Sequence, residues 1–179
     1  MNEDEFLKVM HRKVAQTSVG PSAIRNQGAS GLVSICREYF EESIELNQFS
    51  EKLKTDNYLV YLDQLTSDLL DRFPPSGKSW GAARKGLNLF FRDVVYNQYL
   101  SEHFNISKEI VDLNKLEVPL DKDVGTGLNL EYKDLSNWKT IKDLNAQQSK
   151  CFQDKALILA EKEGIARVHL DLKFWRKVK

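Results

Sequence analysis

Residues 58–104 read YLVYLDQLTSDLLDRFPPSGKSWGAARKGLNLFFRDVVYNQYLSEHF, and they contain two apolar stripes with helical spacing. The first stripe ends at Pro74-Pro75, because proline cannot continue a helix. The second runs from about Ala82 to Phe104, so only a short Pro/Gly turn separates the two predicted helices. The apolar positions are Tyr58, Tyr61, Leu62, Leu65, Leu69 and Phe73 in the first stripe, and Leu87, Phe90, Val94 and Leu100 in the second.

Helical spacing also dominates the chain on both sides of this element. Residues 116–120 are predicted to be extended, because the residue before Pro119 avoids the α region, and Asp121 then stands at a helix N-cap. Gly164 is expected to end a helix over residues 147–162. Further helices are predicted at about 6–14, 30–46 and 107–113, in a segment capped by Ser136 that contains Trp138 and Ile141, and from Asp171 onward. The sequence therefore predicts a compact all-α fold of seven or so helices in a single domain, residues 1–179.

The composition of the 179-residue chain is typical of one globular domain. Hydrophobic residues make up 41%, which is enough to fill a core and excludes a disordered or collagen-like chain. The two cysteines and three histidines lack the spacing of metal ligands, which indicates a protein without a metal or other cofactor. Neither a signal peptide nor a membrane-spanning segment is recognisable, so a cytoplasmic location without a membrane partner is expected.

The charges cancel overall but not locally. The 26 basic and 26 acidic side chains argue against a protein that coats nucleic acid non-specifically. From Pro74 to Arg92, however, the chain has no acidic residue, and the turn offers backbone N–H groups at a helix N-terminus, where an anion such as phosphate is favoured. This segment indicates either a docking site for the DNA backbone or a solvated basic loop. Its four basic residues are Lys78, Arg84, Lys85 and Arg92. Residues 167–179 form a second basic stretch, which either flanks the same groove of the DNA or is a charged tail.

Two motifs add a family resemblance. Residues 80–90, WGAARKGLNLF, and residues 116–124, LEVPLDKDV, resemble the helix-hairpin-helix DNA glycosylase superfamily, most of all its archaeal 8-oxoguanine DNA glycosylase branch. The resemblance implies that Lys85, near the start of the second hairpin helix, is the nucleophile. It also implies that Asp121, at the N-cap after the extended Pro-containing segment, is the catalytic aspartate.

The chemistry of base excision explains the need for such a pair. Cleavage of the N-glycosidic bond builds positive charge on the sugar, and a carboxylate beside the anomeric carbon stabilises that charge. An amine that attacks the same carbon forms a Schiff base, which activates the sugar for strand cleavage by β-elimination. Arg84 and the helix N-terminus are expected to favour the neutral amine of Lys85. The alternative is an ordinary surface lysine and a plain helix cap at Asp121.

The resemblance also implies a base pocket and a phosphate clamp. Asp171 and Trp175, spaced i, i+4, would line the pocket for the extruded base, with the carboxylate accepting a hydrogen bond from a purine N–H and the indole stacking. Gln27 would correspond to a pocket glutamine. The alternatives are a core position for Trp175 and a salt bridge of Asp171 with Arg167 or Lys173. The clamp would consist of Ser76, Gly77, Lys78, Gly81 and Arg84.

These expectations point to a bifunctional DNA glycosylase and AP lyase, which flips a damaged or modified, 8-oxoguanine-like base out of double-stranded DNA. Such an enzyme would act as a monomer in the nucleoid. One alternative is a glycosylase for a bulky modified base of phage DNA, serving antiviral defence. Another is a non-catalytic helix-hairpin-helix module that binds DNA.

Overall fold

The computed structural model describes residues 1–24, 27–136 and 139–175, and every regular element within these ranges is helical. The predicted all-α class is thereby confirmed. The α-helices are α1 (Glu3–Thr17), α2 (Leu32–Glu42), α3 (Leu46–Leu53), α4 (Tyr58–Arg72), α5 (Trp80–Tyr96), α6 (Gln98–His103), α7 (Lys122–Glu131), α8 (Ala146–Glu163) and α9 (Leu170–Phe174). Short 3-10 helices lie at Pro75–Gly77, Leu113–Lys115, Ile141–Asp143 and Arg167–His169. None of the helices in these ranges combines the length and the apolar character that crossing a bilayer requires.

Helix α5 is buried on almost every side. Pairs of stacked rings fix it to its neighbours: the ring centroid of Phe90 lies 4.8 Å from that of Phe40 in α2, and that of Phe91 lies 4.2 Å from that of Phe49 in α3. Because so few positions of α5 face solvent, its polar side chains lie inside the protein and require partners there. Those side chains are Arg84, Lys85 and Asn88.

The buried apolar side chains form two clusters. The larger one draws on α1 to α6, and α5 contributes its longest run of residues. The smaller one draws on α7, α8, α9 and the extended segment before α7. Asp121 begins α7 and Asp171 lies on α9, so both aspartates belong to elements of the smaller cluster. A contact between α5 and either aspartate therefore joins the two clusters.

The structure divides the long helix predicted from residue 82 to residue 104. Asn97 has an extended backbone (φ −78°, ψ 107°), so α5 ends at Tyr96 and α6 begins at Gln98. The side chain of Asn97 accepts a hydrogen bond from the N–H of Leu100 at 3.1 Å, which caps the new helix. The side-chain hydrogen bond of Asn97 thus favours the start of a new helix over continuation of α5, although the apolar stripe continues.

Other boundaries differ in the same way, while two caps are confirmed. The stripe predicted over residues 30–46 is split, because α2 ends at Glu42 and α3 begins at Leu46. The helix predicted over residues 107–113 is absent there, and Leu113–Lys115 forms a 3-10 turn instead. Trp138 lies outside the described residues. Asp121 caps α7 as predicted, and Gly164 (φ +67°) ends α8, where the left-handed conformation favours glycine.

Candidate active site

Lys85 and Asp121 meet although 36 residues separate them in the chain. Lys85 projects from the second turn of α5, and its Nζ lies 3.4 Å from Oδ2 of Asp121. The other carboxylate oxygen, Oδ1, accepts a hydrogen bond from the N–H of Val124 at 3.0 Å and so caps α7. One carboxylate oxygen of Asp121 therefore caps α7, and the other contacts Lys85.

The pair lies at the protein boundary with its two members unequally exposed. The Lys85 side chain is 7% exposed, whereas that of Asp121 is 27% exposed, so solvent reaches the pair from the carboxylate side. Lys85 Nζ also donates a hydrogen bond to the backbone carbonyl of Ala23 at 3.0 Å. The amine is thus held in one position by a carboxylate and a carbonyl, and Lys85 is not an ordinary surface lysine.

Asp171 joins the same group of charges through Arg92. Its carboxylate forms an ion pair with the Arg92 guanidinium, which also contacts Asp93 at 2.7 Å. Burial raises the pKa of Asp171, Arg92 opposes that rise, and the negative charge of Asp121 adds to it. The charges of Asp121 and Asp171 therefore lie close enough to influence each other. Asp171 forms neither of the salt bridges expected as alternatives, those with Arg167 or Lys173.

Arg92 belongs to the candidate site, whereas the sequence pattern assigned it only to a basic stretch. It follows Lys85 by seven residues, and positions i and i+7 lie on one face of a helix, two turns apart. This seven-residue spacing could have indicated from the sequence that Arg92 lies on the same helix face as Lys85. What the spacing did not show is that Asp171, on a helix far along the chain, supplies the counter-charge.

Trp175 follows α9 on the surface. Its backbone N–H donates to the carbonyl of Asp171 at 3.0 Å, and the residue is 59% exposed. The alternative of a core position for this tryptophan is therefore wrong. Gln27 is buried, four residues after the Ala23 carbonyl that holds Lys85. The remaining basic residues of the C-terminal stretch, Arg176, Lys177 and Lys179, lie outside the described residues.

The turn between α4 and α5 is less open to an anion than expected. Gly77 is buried, and a Cβ added there would lie 2.8 Å from Cβ of Ala29. A Cβ added at Gly81 would collide with the carbonyl oxygen of Ile141, because residues 141–144 cover the first turn of α5. Ser76 and Lys78 are the members of the expected clamp that remain on the surface. Lys78 Nζ lies 3.2 Å from Oδ1 of Asp71.

Arg84 is not on the surface of the turn, which corrects its expected placement in the clamp. Its guanidinium is buried and donates to Oγ1 of Thr66 at 2.8 Å. It also forms ion pairs with Asp63 and, at 3.1 Å, with Glu117. Position 84 faces α4 and the segment before α7, so buried Glu117 and exposed Asp63 neutralise this charge, and it does not act on Lys85 as an isolated cation.

Lys142 reaches the turn from a distant part of the sequence. Its Nζ lies 3.1 Å from the position that a Cβ would take at Gly28, and the same position touches the carbonyl of Ser76. Lys142 is exposed, and its ammonium lies on this surface together with that of Lys78, which is paired with the exposed carboxylate of Asp71. We call Ser76, Lys78 and Lys142 the turn surface. No local pattern pointed to Lys142, because it belongs to a 3-10 helix that only the tertiary fold brings here.

Within the described ranges, no group of three or more histidine, cysteine, aspartate or glutamate side chains is placed to hold a metal ion. The polar centre of this region is instead the Lys85–Asp121 pair with Asp171 and Arg92 beside it. Comparison with known proteins adds no relative: no protein-family model, curated protein or solved structure matches the chain.

Proposed function

We propose that this protein is a DNA glycosylase with AP lyase activity, which excises a damaged or modified, 8-oxoguanine-like base from double-stranded DNA. The observation that carries the proposal is the 3.4 Å contact between Lys85 Nζ and Asp121 Oδ2. A nucleophile and a carboxylate at this distance can both reach one carbon atom of a substrate. The sequence motifs around both residues resemble the glycosylase motifs that use such a pair.

The reaction assigns separate tasks to the two side chains. As the bond between C1′ and the base nitrogen lengthens, the sugar gains positive charge, and the Asp121 carboxylate stabilises it. As Lys85 Nζ forms the new bond to C1′, the departing base takes the glycosidic electron pair and the proton that Nζ gives up. The C1′–O4′ bond then breaks: the ring oxygen keeps the electron pair and takes up a proton to become the 4′-hydroxyl, while the lone pair of the lysine nitrogen forms the Schiff base. A base then takes a C2′ proton, and β-elimination breaks the C3′–O bond, so that the 3′ phosphate leaves with that electron pair and the strand is cleaved.

Asp171 and Trp175 are the side chains we assign to the extruded base. The Asp171 carboxylate would accept a hydrogen bond from an N–H on the edge of a purine, and its ion pair with Arg92 holds it in one orientation. The exposed indole of Trp175 offers a stacking face. Gln27 is assigned to the same pocket on the family resemblance alone.

A panel of lesion-bearing duplexes incubated with borohydride tests the proposal. Reduction converts a Schiff base into a stable covalent complex, so a shifted protein–DNA band identifies the substrate and the mechanism together. The panel includes 8-oxoguanine, an abasic site and a bulky modified cytosine of the phage type. Trapping with the bulky base alone favours a role in defence. Binding without excision on every duplex leaves only a DNA-binding module.

Lys78→Glu should weaken binding to damaged and undamaged duplexes by the same factor. Lys78 lies on the turn surface, and a phosphate contact positions the protein without reading the base. We expect a loss of roughly tenfold at low salt and a slope of log K against log salt of only a few units, because few cations face the DNA. Fluorescence anisotropy over a salt series measures both quantities.

Lys162→Glu is the matched control for this charge reversal. Lys162 is an exposed lysine in the last turn of α8, and the substitution changes the net charge by the same amount. It should leave affinity close to that of the wild type. Equal losses in the two variants would mean that net charge, and not the turn surface, governs binding.

Trp175→Ala should reduce discrimination between the target base and its normal counterpart. A stacking face is worth roughly 1–3 kcal/mol and acts only on the flipped base. Since the residue is 59% exposed, the variant should unfold at nearly the same temperature as the wild type. The ratio of single-turnover rates on lesion and normal duplexes is the measurement. Leu172→Ala, at an equally exposed position of α9, serves as the control and should leave that ratio unchanged.

A further inference from the structure

A groove runs between α4 and α8, on the side of α5 where Arg84 points. It consists of two cavities of about 480 Å³ and about 370 Å³, which share Leu59, Asp154 and Arg167 in their walls. Lys85 follows Arg84 in the sequence and therefore points about 100° further around the helix. The groove takes no part in the proposed excision chemistry, and its size lies within the range of small-molecule sites.

Arg167 forms the floor where the two cavities join. It is 6% exposed, and its guanidinium donates to the backbone carbonyls of Leu116 and Lys115, each at 3.0 Å. It makes no ion pair with a carboxylate of the described residues, in contrast to Arg84 and Arg92. Burial lowers the pKa of Arg167, and the charge of Glu117 opposes that fall from beyond ion-pair distance. A buried cation with no carboxylate in direct contact is costly, so its position favours an anion that enters from the groove.

Two residues that line the same groove carry a buried hydroxyl group. Ser149 contributes to the larger cavity and Tyr58 to the smaller one, and each residue is 2% exposed. Neither hydroxyl has a hydrogen-bond partner among the described residues. Burial raises the pKa of Tyr58, so its hydroxyl keeps its proton and can donate. A guanidinium with two hydroxyl groups is a suitable donor set for a carboxylate.

The rim of the groove has the opposite charge from its floor. Its two lysines, Lys115 and Lys150, are each paired with an aspartate of the rim, at 3.6 Å and 2.7 Å. The exposed acidic residues outnumber them: Asp56, Asp63, Asp112, Asp154 and Glu161. The larger cavity also has the buried carboxylate of Glu117 in its wall, where it is paired with Arg84. A polyanion such as DNA or a nucleotide is repelled by such a rim, whereas an ammonium group is attracted.

We propose that this groove binds a free amino acid, or a small zwitterion of that class. Its carboxylate accepts hydrogen bonds from Arg167, Ser149 and Tyr58, and its ammonium group faces the carboxylates of the rim. Because the lining has a net negative charge, we expect the ligand to carry an ammonium group in addition to its carboxylate. This inference is independent of the proposed excision activity.

Thermal unfolding of the full chain with single additives tests the proposal. The probes are the twenty amino acids one at a time, each at millimolar concentration. For the best of them, the decarboxylated amine, the deaminated acid and adenosine monophosphate are the comparison compounds. We expect at least one amino acid to raise Tm, since a ligand of the folded state stabilises it, and the comparison compounds to raise it much less. Failure of all twenty, or an equal effect of the acid alone, overturns the proposal.

Two substitutions locate the site without threatening the fold. Ser149→Ala and Tyr58→Phe each remove a hydroxyl that has no hydrogen-bond partner within residues 1–24, 27–136 and 139–175, so the unliganded variants should unfold at the wild-type temperature or above it. Each should weaken amino-acid binding by roughly tenfold, the effect of one hydrogen bond, as measured by calorimetric titration.

The chain supplies matched controls for both changes. Ser18 and Tyr61 also carry buried hydroxyls without a partner among the described residues, yet neither lines the two cavities. Ser18→Ala and Tyr61→Phe should therefore leave the affinity unchanged. If the controls weaken binding as much as Ser149→Ala and Tyr58→Phe, or if none of the four does, the amino acid is not bound in this groove.

Discussion

Lys85→Ala should abolish borohydride trapping and strand cleavage while duplex binding stays nearly intact. The covalent intermediate needs the Lys85 amine at C1′, and no other group on the protein takes its place beside Asp121 in the proposed mechanism. Binding should persist because Lys85 is buried and the phosphate contacts are assigned to the turn surface. Denaturing gels of the trapped complex and anisotropy of the same samples measure the two effects.

Two further variants separate loss of the amine from loss of structure. Lys85→Met keeps most of the buried side-chain volume and should be as inactive as Lys85→Ala. Lys122→Ala removes an exposed lysine that directly follows Asp121, and it should trap DNA like the wild type. Trapping that persists in both Lys85 variants would show that another amine is the nucleophile.

Asp121→Asn should keep the fold and lower the rate of excision by about 10²–10³, the size of effect typical of a lost electrostatic contact to the transition state. The asparagine oxygen still accepts the N–H of Val124, so the cap of α7 survives. What disappears is the negative charge facing Lys85 and the sugar. Single-turnover excision rates, with Tm as the measure of folding, decide the outcome.

The neighbouring acid on the same helix provides the control. Asp123 is exposed in the first turn of α7, and Asp123→Asn should excise at the wild-type rate. Loss of the Asp121 charge should also lower the pKa of Asp171, because that charge helps to raise it. An Asp121→Asn enzyme as fast as the wild type would leave Asp121 with its capping role alone.

Local sequence was a good guide to where helices form. The turn at Pro74-Pro75 and the caps at Asp121 and Gly164 are where the pattern placed them, since each depends on backbone geometry and neighbouring residues. The same reasoning missed the break at Asn97. There the apolar stripe continues through the break, and the extended backbone and side-chain hydrogen bond of Asn97 mark the start of α6.

For the candidate site as well, the sequence motifs suggested part of the arrangement, and the tertiary fold decided the rest. The motifs around Lys85 and Asp121 suggested a pair, and the fold places the two atoms 3.4 Å apart. The charge pattern suggested four free cations near the turn. Arg84 instead faces Glu117 and Asp63, and Arg92 faces Asp171. Asp63 lies on α4, the helix just before the turn, whereas Glu117 and Asp171 lie in segments that no local pattern connects with it, and Asp171 is 79 residues from Arg92.

The amino-acid sequence by itself determined that this chain is helical, because hydrophobic spacing, caps and prolines act over a few residues. Tertiary structure alone decided which charged side chains are available for chemistry. Whether a cation is free depends on the distance to carboxylates that the fold brings near, and electrostatic energy depends on that distance and on burial. For that reason Lys142 joins the turn surface and Arg84 does not. Arg167 is buried beside an open groove with no carboxylate of the described residues within ion-pair distance.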